Sequence, residues 1–291
     1  MQKKGNHNRR LALLDSLRGI TLISMILYHA CWDVVYIIGA DWPWYRSRGG
    51  FIWQQSICWT FILLSGFCIP FSRRLLRRGL IVFGAGALVM LVTNLVLPED
   101  RVIFGVLTLI GSCMLLMALV RALTGNRTDM TVGPASERSG QDYREANHEE
   151  GSGIFSAEIK LLIFAALFVF LRDINSGVIG TGLLHRVIPV IPNISVALPE
   201  FLYSNLFTAY LGFPPLDFYS TDYFSLIPWT FLYLCGYELH HIARKKGILE
   251  LPIMKKEIKP LSFMGRNSLT IYLLHQPVLY GLVLLYSAIR H

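Results

Sequence analysis

Residues 11–40 read LALLDSLRGITLISMILYHACWDVVYIIGA, an apolar run interrupted by a few ionisable side chains. A helix needs about 20 apolar residues to cross a bilayer, so this stretch is long enough to span and is too apolar for the surface of a soluble domain. Its interruptions are ordered. At about 100° per residue, Asp15, Arg18, His29 and Asp33 project within an arc of about 60° on one helix face. Charged or titratable groups in a membrane helix are costly, and they ordinarily face a bundle interior or a wet cavity. The stripe therefore marks a candidate functional face.

The rest of the chain agrees with a membrane reading. Hydrophobic residues make up 53% of the 291 and charged residues 16%, with a mean hydropathy of +0.47, which lies outside the range of ordinary soluble domains. The fold class expected is an all-α, polytopic helix bundle forming a single transmembrane domain. Net charge is +8, but the positive residues sit in short blocks beside apolar runs, where they report orientation. Nucleic acid is accordingly excluded as a partner, and the bilayer itself is the main one. The five cysteines show neither CxxC nor Cys/His ligand spacing, so neither a metal site nor a disulfide framework is expected.

Apolar runs predict spans near 11–38, 51–70, 79–97, 102–123, 155–171, 222–242 and 262–288. With the N-terminus in the cytoplasm, seven crossings put Arg73, Arg74, Arg77, Arg78 and the basic residues of 244–259 inside, as the positive-inside rule requires. The C-terminus is then extracytoplasmic. Residues 124–153 are polar and Gly/Ser/Glu-rich, the composition of a flexible cytoplasmic linker. Residues 172–221 mix proline, glycine and aromatics without sustaining a span. They are expected to form an external cap, within which 198–211 is predicted as an interfacial helix carrying Tyr203 and Tyr210 at headgroup level.

Three constellations carry chemistry. Arg18 lies near the inner end of the first span and His29 about 16 Å farther along the axis. Arginine offers a permanently charged fork for phosphate, and histidine exchanges protons near neutral pH. A phosphorylated carrier held inside could thus react toward the outside, with His29 as base and Asp33, one turn beyond, supporting its ring. Pairing of Arg18 with Asp15, and an interhelical hydrogen bond from His29, are the structural alternatives. The block Arg73, Arg74, Arg77 and Arg78 suits both topology and phosphate docking. In the last span, Ser268, Tyr272 and His275 share a face and are candidate substrate contacts. Pro277 there removes a backbone bond to the carbonyl of Leu273, freeing an acceptor close to His275. Asp222, ahead of the sixth span, either caps that helix or contacts substrate.

The spacing Arg18-x10-His29 resembles the signature of transmembrane acyltransferases, including the acyltransferase-three O-acetylases. LDSLRGITLISMILYH (14–29), FILLSGFCI (61–69), FGVLTLIGSCMLL (104–116), STDYFSLIPWTFLYLCGYEL (220–239) and GRNSLTIYLLHQP (265–277) resemble bacterial proteins with a heparan-alpha-glucosaminide N-acetyltransferase catalytic-like domain. The resemblance implies acyl transfer from cytoplasmic acetyl-CoA to a hydroxyl or amine of an extracytoplasmic glycan or related envelope acceptor, in the bacterial inner membrane. It assigns His29 and Arg18 to the motif positions and leaves a homodimer open. A proton-coupled small-molecule transporter is the main rival class, and a noncatalytic envelope assembly subunit is the third.

Overall fold

The computed structural model describes residues 11–124 and 156–290, so nearly all of the 124–153 linker lies outside the described residues. Among the described residues ten α-helices follow in chain order: α1 (Ala12–Tyr36), α2 (Arg48–Phe67), α3 (Leu75–Val96), α4 (Val106–Leu123), α5 (Ala157–Phe170), α6 (Gly182–Val187), α7 (Leu206–Leu211), α8 (Leu226–Lys245), α9 (Lys259–Arg266) and α10 (Ser268–Arg290). Each of the seven apolar runs falls on a helix. By length and apolarity, α1, α3, α4 and residues Ser268–Tyr286 of α10 are the four candidate membrane spans among the described residues. The others fall short for identifiable reasons. Helix α5 is only 14 residues long, while α2 and α8 carry polar residues, such as Gln54, Gln55, Glu238 and His240, within their apolar runs. The seventh run is divided, because the chain breaks at Asn267 between α9 and α10.

The chain separates into two compact units, residues 1–64 with 243–291 and residues 65–242. In the first, α9 packs across the N-terminal half of α1 at two glycines. A Cβ on Gly19 would stand 2.1 Å from the Leu261 carbonyl oxygen, and one on Gly265 would stand 1.9 Å from that of Asp15, so the helices meet backbone to backbone. The Ser16 and Ser262 hydroxyls share a hydrogen bond of 2.8 Å in that seam. Helix α10 then runs beside α1 in the same direction. Ile271 and Tyr272 pack on the cluster of Leu22, Met25 and Ile57, His275 meets His29, and Gln276 reaches Asp33. The Trp53 indole of α2 donates to Ser24 Oγ at 2.8 Å, pinning α2 against α1.

In the second unit, α3 and α4 form an antiparallel pair, again seated on small residues: Gly86 opposes Leu107 and Thr108, and Gly111 opposes Phe83. Small residues at such seams let helices approach where lipid supplies no hydrophobic drive between them. Helix α3 buries only Leu75, Gly79 and Gly86. Between its terminal turns, residues 79–92 are all apolar, with Leu88 53% and Leu91 57% exposed, as expected of a helix whose solvent is hydrocarbon.

Residues 172–221 are ordered but are built differently from the sequence expectation. Strands β1 (Val178–Gly180) and β2 (Ser195–Ala197) pair antiparallel. Within 198–211 only Leu206–Leu211 is α-helical, started by a capping box at Asn205. Tyr203 donates to the Ile174 carbonyl at 2.6 Å, and the Tyr210 and Ser112 hydroxyls share a bond of 2.5 Å. These phenols tie the segment to the protein. Proline and glycine at positions 199, 212, 214 and 215 confine the helix to its short central piece.

Candidate active site

The site is assembled from α1 and α10. Helix α1 is continuous from Ala12 to Tyr36, so the four ionisable residues of its stripe do share one face. Each meets a different partner. Arg18 donates from Nη1 to Asp15 Oδ1 at 2.7 Å, both side chains being largely shielded. His29 lies farther along, with its ring centroid 4.9 Å from that of His275 and the planes at 61°. Tyr28 and Tyr272 flank this pair, at 6.1 Å from His29 and 5.4 Å from His275. The Asp33 carboxylate accepts from Gln276 Nε2 at 3.1 Å through Oδ1.

The geometry of His275 fixes its proton. Nδ1 lies 2.5 Å from the carbonyl oxygen of Tyr272. A carbonyl can only accept, so Nδ1 carries the hydrogen, and in the neutral ring Nε2 is left with the lone pair. That nitrogen is buried and has no hydrogen-bond partner among the described residues. His275 is therefore a poised proton acceptor against the face of His29. The carbonyl it uses belongs to Tyr272, within the same turn, and is not the Leu273 acceptor that Pro277 would have released.

Asp33 Oδ2 and Gln276 Oε1 are also buried without a partner among the described residues. Leaving such groups unsatisfied costs about 1–3 kcal/mol each, which is the ordinary signature of a place where something else binds. The site thus offers three acceptor atoms from two parallel helices, with aromatic walls around them. Gln276 was not among the sequence candidates. Its signal was its position beside His275 in an otherwise apolar helix.

Other sequence candidates lie elsewhere. Ser268 opens α10 seven residues before His275, about 10 Å along the axis, and is not brought to the histidine pair. In the second unit, Arg73, Arg74, Arg77 and Arg78 are all exposed. They stand around the first turn of α3, where the helix dipole already favours anions, so four guanidinium groups there produce a strongly positive surface. Asp222 Oδ2 accepts from the Val106 amide at 3.4 Å. Ser220 Oγ meanwhile accepts from Ile103 N at 2.8 Å and donates to its carbonyl at 3.0 Å. Asp222 thus serves the start of α4 rather than capping α8, because segment 219–224 lies along 100–106. Arg121, unremarked in the sequence, donates to the carbonyls of Ser72 and Ile69 at 3.4 and 3.3 Å. It ties the end of α4 to the turn that presents the arginine block.

Comparison with known families gives one match. The family described as heparan-alpha-glucosaminide N-acetyltransferase, catalytic, matches residues 10–132 and 160–277, taking in both the α1 stripe and His275. No curated protein and no solved structure matches the chain.

Proposed function

The chain belongs to the heparan-alpha-glucosaminide N-acetyltransferase catalytic family, and from that premise we propose that it transfers an acetyl group from cytoplasmic acetyl-CoA to a hydroxyl or amine of an extracytoplasmic envelope acceptor. The observation that carries the reading is the half-buried histidine pair, in which the buried His275 Nε2 is an acceptor without a partner among the described residues. The acceptor oxygen or nitrogen attacks the thioester carbonyl, a histidine takes the acceptor's proton, and the carbon–sulfur bond breaks. The thiolate collects the proton, and free CoA leaves. His29, with Asp33 on the next turn, acts as the base on this reading, and Tyr272 and His275 contact the acceptor. The decisive assay is thiol release from acetyl-CoA by purified protein, screened against envelope sugars; a protein that releases no CoA with any acceptor is not this enzyme.

Arg18 and the arginines of 73–78 are the groups suited to CoA phosphates. Arg18→Gln removes a charge-assisted bond worth about 1.5–3 kcal/mol, so acetyl-CoA affinity should fall roughly 10- to 150-fold in titration calorimetry. Asp15→Asn releases the competing partner of Arg18 and is expected to leave affinity equal or higher. Wild-type affinity in Arg18→Gln and in all four variants of the block would reduce these arginines to topology markers.

The parallel course of α1 and α10 supports an odd number of crossings, since two parallel spans require an odd number between them. On this reading α2, α5 and α8, though shorter or more polar than α3 and α4, cross with them, which gives five between and seven in total, with the N-terminus in the cytoplasm and the C-terminus outside. Single cysteines at Asp217 and Lys246, both exposed, introduced into a background lacking the native five, should then react with an impermeant thiol reagent from opposite sides of the membrane. Labelling from the same side would overturn the topology.

A further inference from the structure

Beyond the histidine pair, α1 and α10 form an open groove of about 150 Å³ whose walls include Val34, Ile38, Leu279, Leu282 and Val283, with Asp33 at its edge. A groove of that size and apolar lining suits a hydrocarbon fragment. It is too small for a saccharide, whose hydroxyls these walls could not satisfy. The walls reach the outer surface of the helix pair, Leu282 being 57% and Ile38 38% exposed. At the surface of a membrane helix, the apolar molecules in supply are lipid chains.

The polar edge narrows the ligand further. Asp33 is 1% exposed, yet its Oδ2 has no partner among the described residues, and neither does Gln276 Oε1 beside it. A buried acceptor on the groove wall at Asp33, with a second on its hydrogen-bond partner Gln276, calls for a molecule with hydrogen-bond donors at one end and a chain at the other. We propose that this groove binds the hydrocarbon chain of a membrane amphiphile, whose hydroxyl or amine head donates to Asp33 Oδ2 and Gln276 Oε1. The inference rests on the acyltransferase reading in one respect: it makes the acceptor lipid-borne. A head held at Asp33 lies one turn, about 6 Å along the axis, from His29, so a neighbouring hydroxyl of that head reaches the base while the chain stays in the groove.

The test uses the full chain in phosphatidylcholine nanodiscs and a long-chain alcohol with a diazirine in its tail. After irradiation, mass spectrometry should place adducts on 30–38 and 279–286, and unlabelled long-chain alcohol should compete them away. Asp33→Ala removes the acceptor and Leu282→Trp fills the groove from a lipid-facing position; each should lower the adduct yield about tenfold relative to adducts on α3. Adducts distributed equally over the lipid-facing helices, or unchanged in Leu282→Trp, would overturn the proposal. The readout needs no turnover. A protein that captures the alcohol but never releases CoA would refute the acyltransferase reading while keeping the site, and one that acetylates only soluble sugars and captures no alcohol would do the reverse.

Discussion

His29→Ala abolishes acetyl transfer while acetyl-CoA still binds: this is the largest effect expected of any single substitution. A positioned general base contributes about 10²–10⁴ in rate, and His29 is the one histidine of the α1 stripe, with Asp33 one turn beyond it accepting from Gln276 through Oδ1. Because a thioester is already activated, the acceptor needs only deprotonation and alignment. Both substrates should therefore be bound together, and initial-rate lines should intersect. Parallel lines with a trappable acetylated His29 would instead indicate a covalent intermediate. His275→Asn separates the roles of the pair, since its amide retains a donor for the Tyr272 carbonyl but has no nitrogen lone pair in place of Nε2. If His275 only orients the acceptor, KM rises in this variant and kcat changes little. Substantial transfer by His29→Ala would remove the site assignment altogether.

Gly265→Val should cost the protein its folded state in detergent, as should Gly19→Val. At both positions the added Cβ meets a backbone carbonyl rather than a side-chain tip, so relief requires α9 to move off α1. Overpacking ordinarily costs about 1–3 kcal/mol, and a contact between two rigid helices has the least room to relax. The consequence is more than loss of stability. Helix α9 leads directly into α10, so displacing it shifts His275 and Gln276 away from His29 and Asp33. Even where Gly19→Ala or Gly265→Ala yields protein, transfer should fall together with the thermal midpoint. Size-exclusion profiles and melting curves measured beside activity check this, and a monodisperse, fully active Gly265→Val would contradict the described seam.

Much of this protein was legible in one dimension. Hydropathy placed a helix on every apolar run, and the 3.6-residue period put Asp15, Arg18, His29 and Asp33 on one face of α1, because both properties belong to a single helix and need no partner. The pairing of Arg18 with Asp15 was legible for the same reason, being a contact between positions three apart. What acts between elements was not. The sequence treated Asp33 as the support of His29, whereas the described hydrogen bond of Asp33 is to Gln276, 243 residues away. It treated Asp222 as a cap for the helix that follows it, whereas that carboxylate serves α4 through a long-range approach of two loops. It extended one helix through Asn267, and it drew one helix over 198–211, where only Leu206–Leu211 is α-helical. Each of these depends on which backbone can come near which; at the α1–α9 and α3–α4 seams that was set by glycines 19, 265, 86 and 111. Periodicity fixes the face a residue occupies; only docking of the helices decides what that face meets, since a few tenths of an ångström at a glycine contact select one partner over every other polar group of matching chemistry.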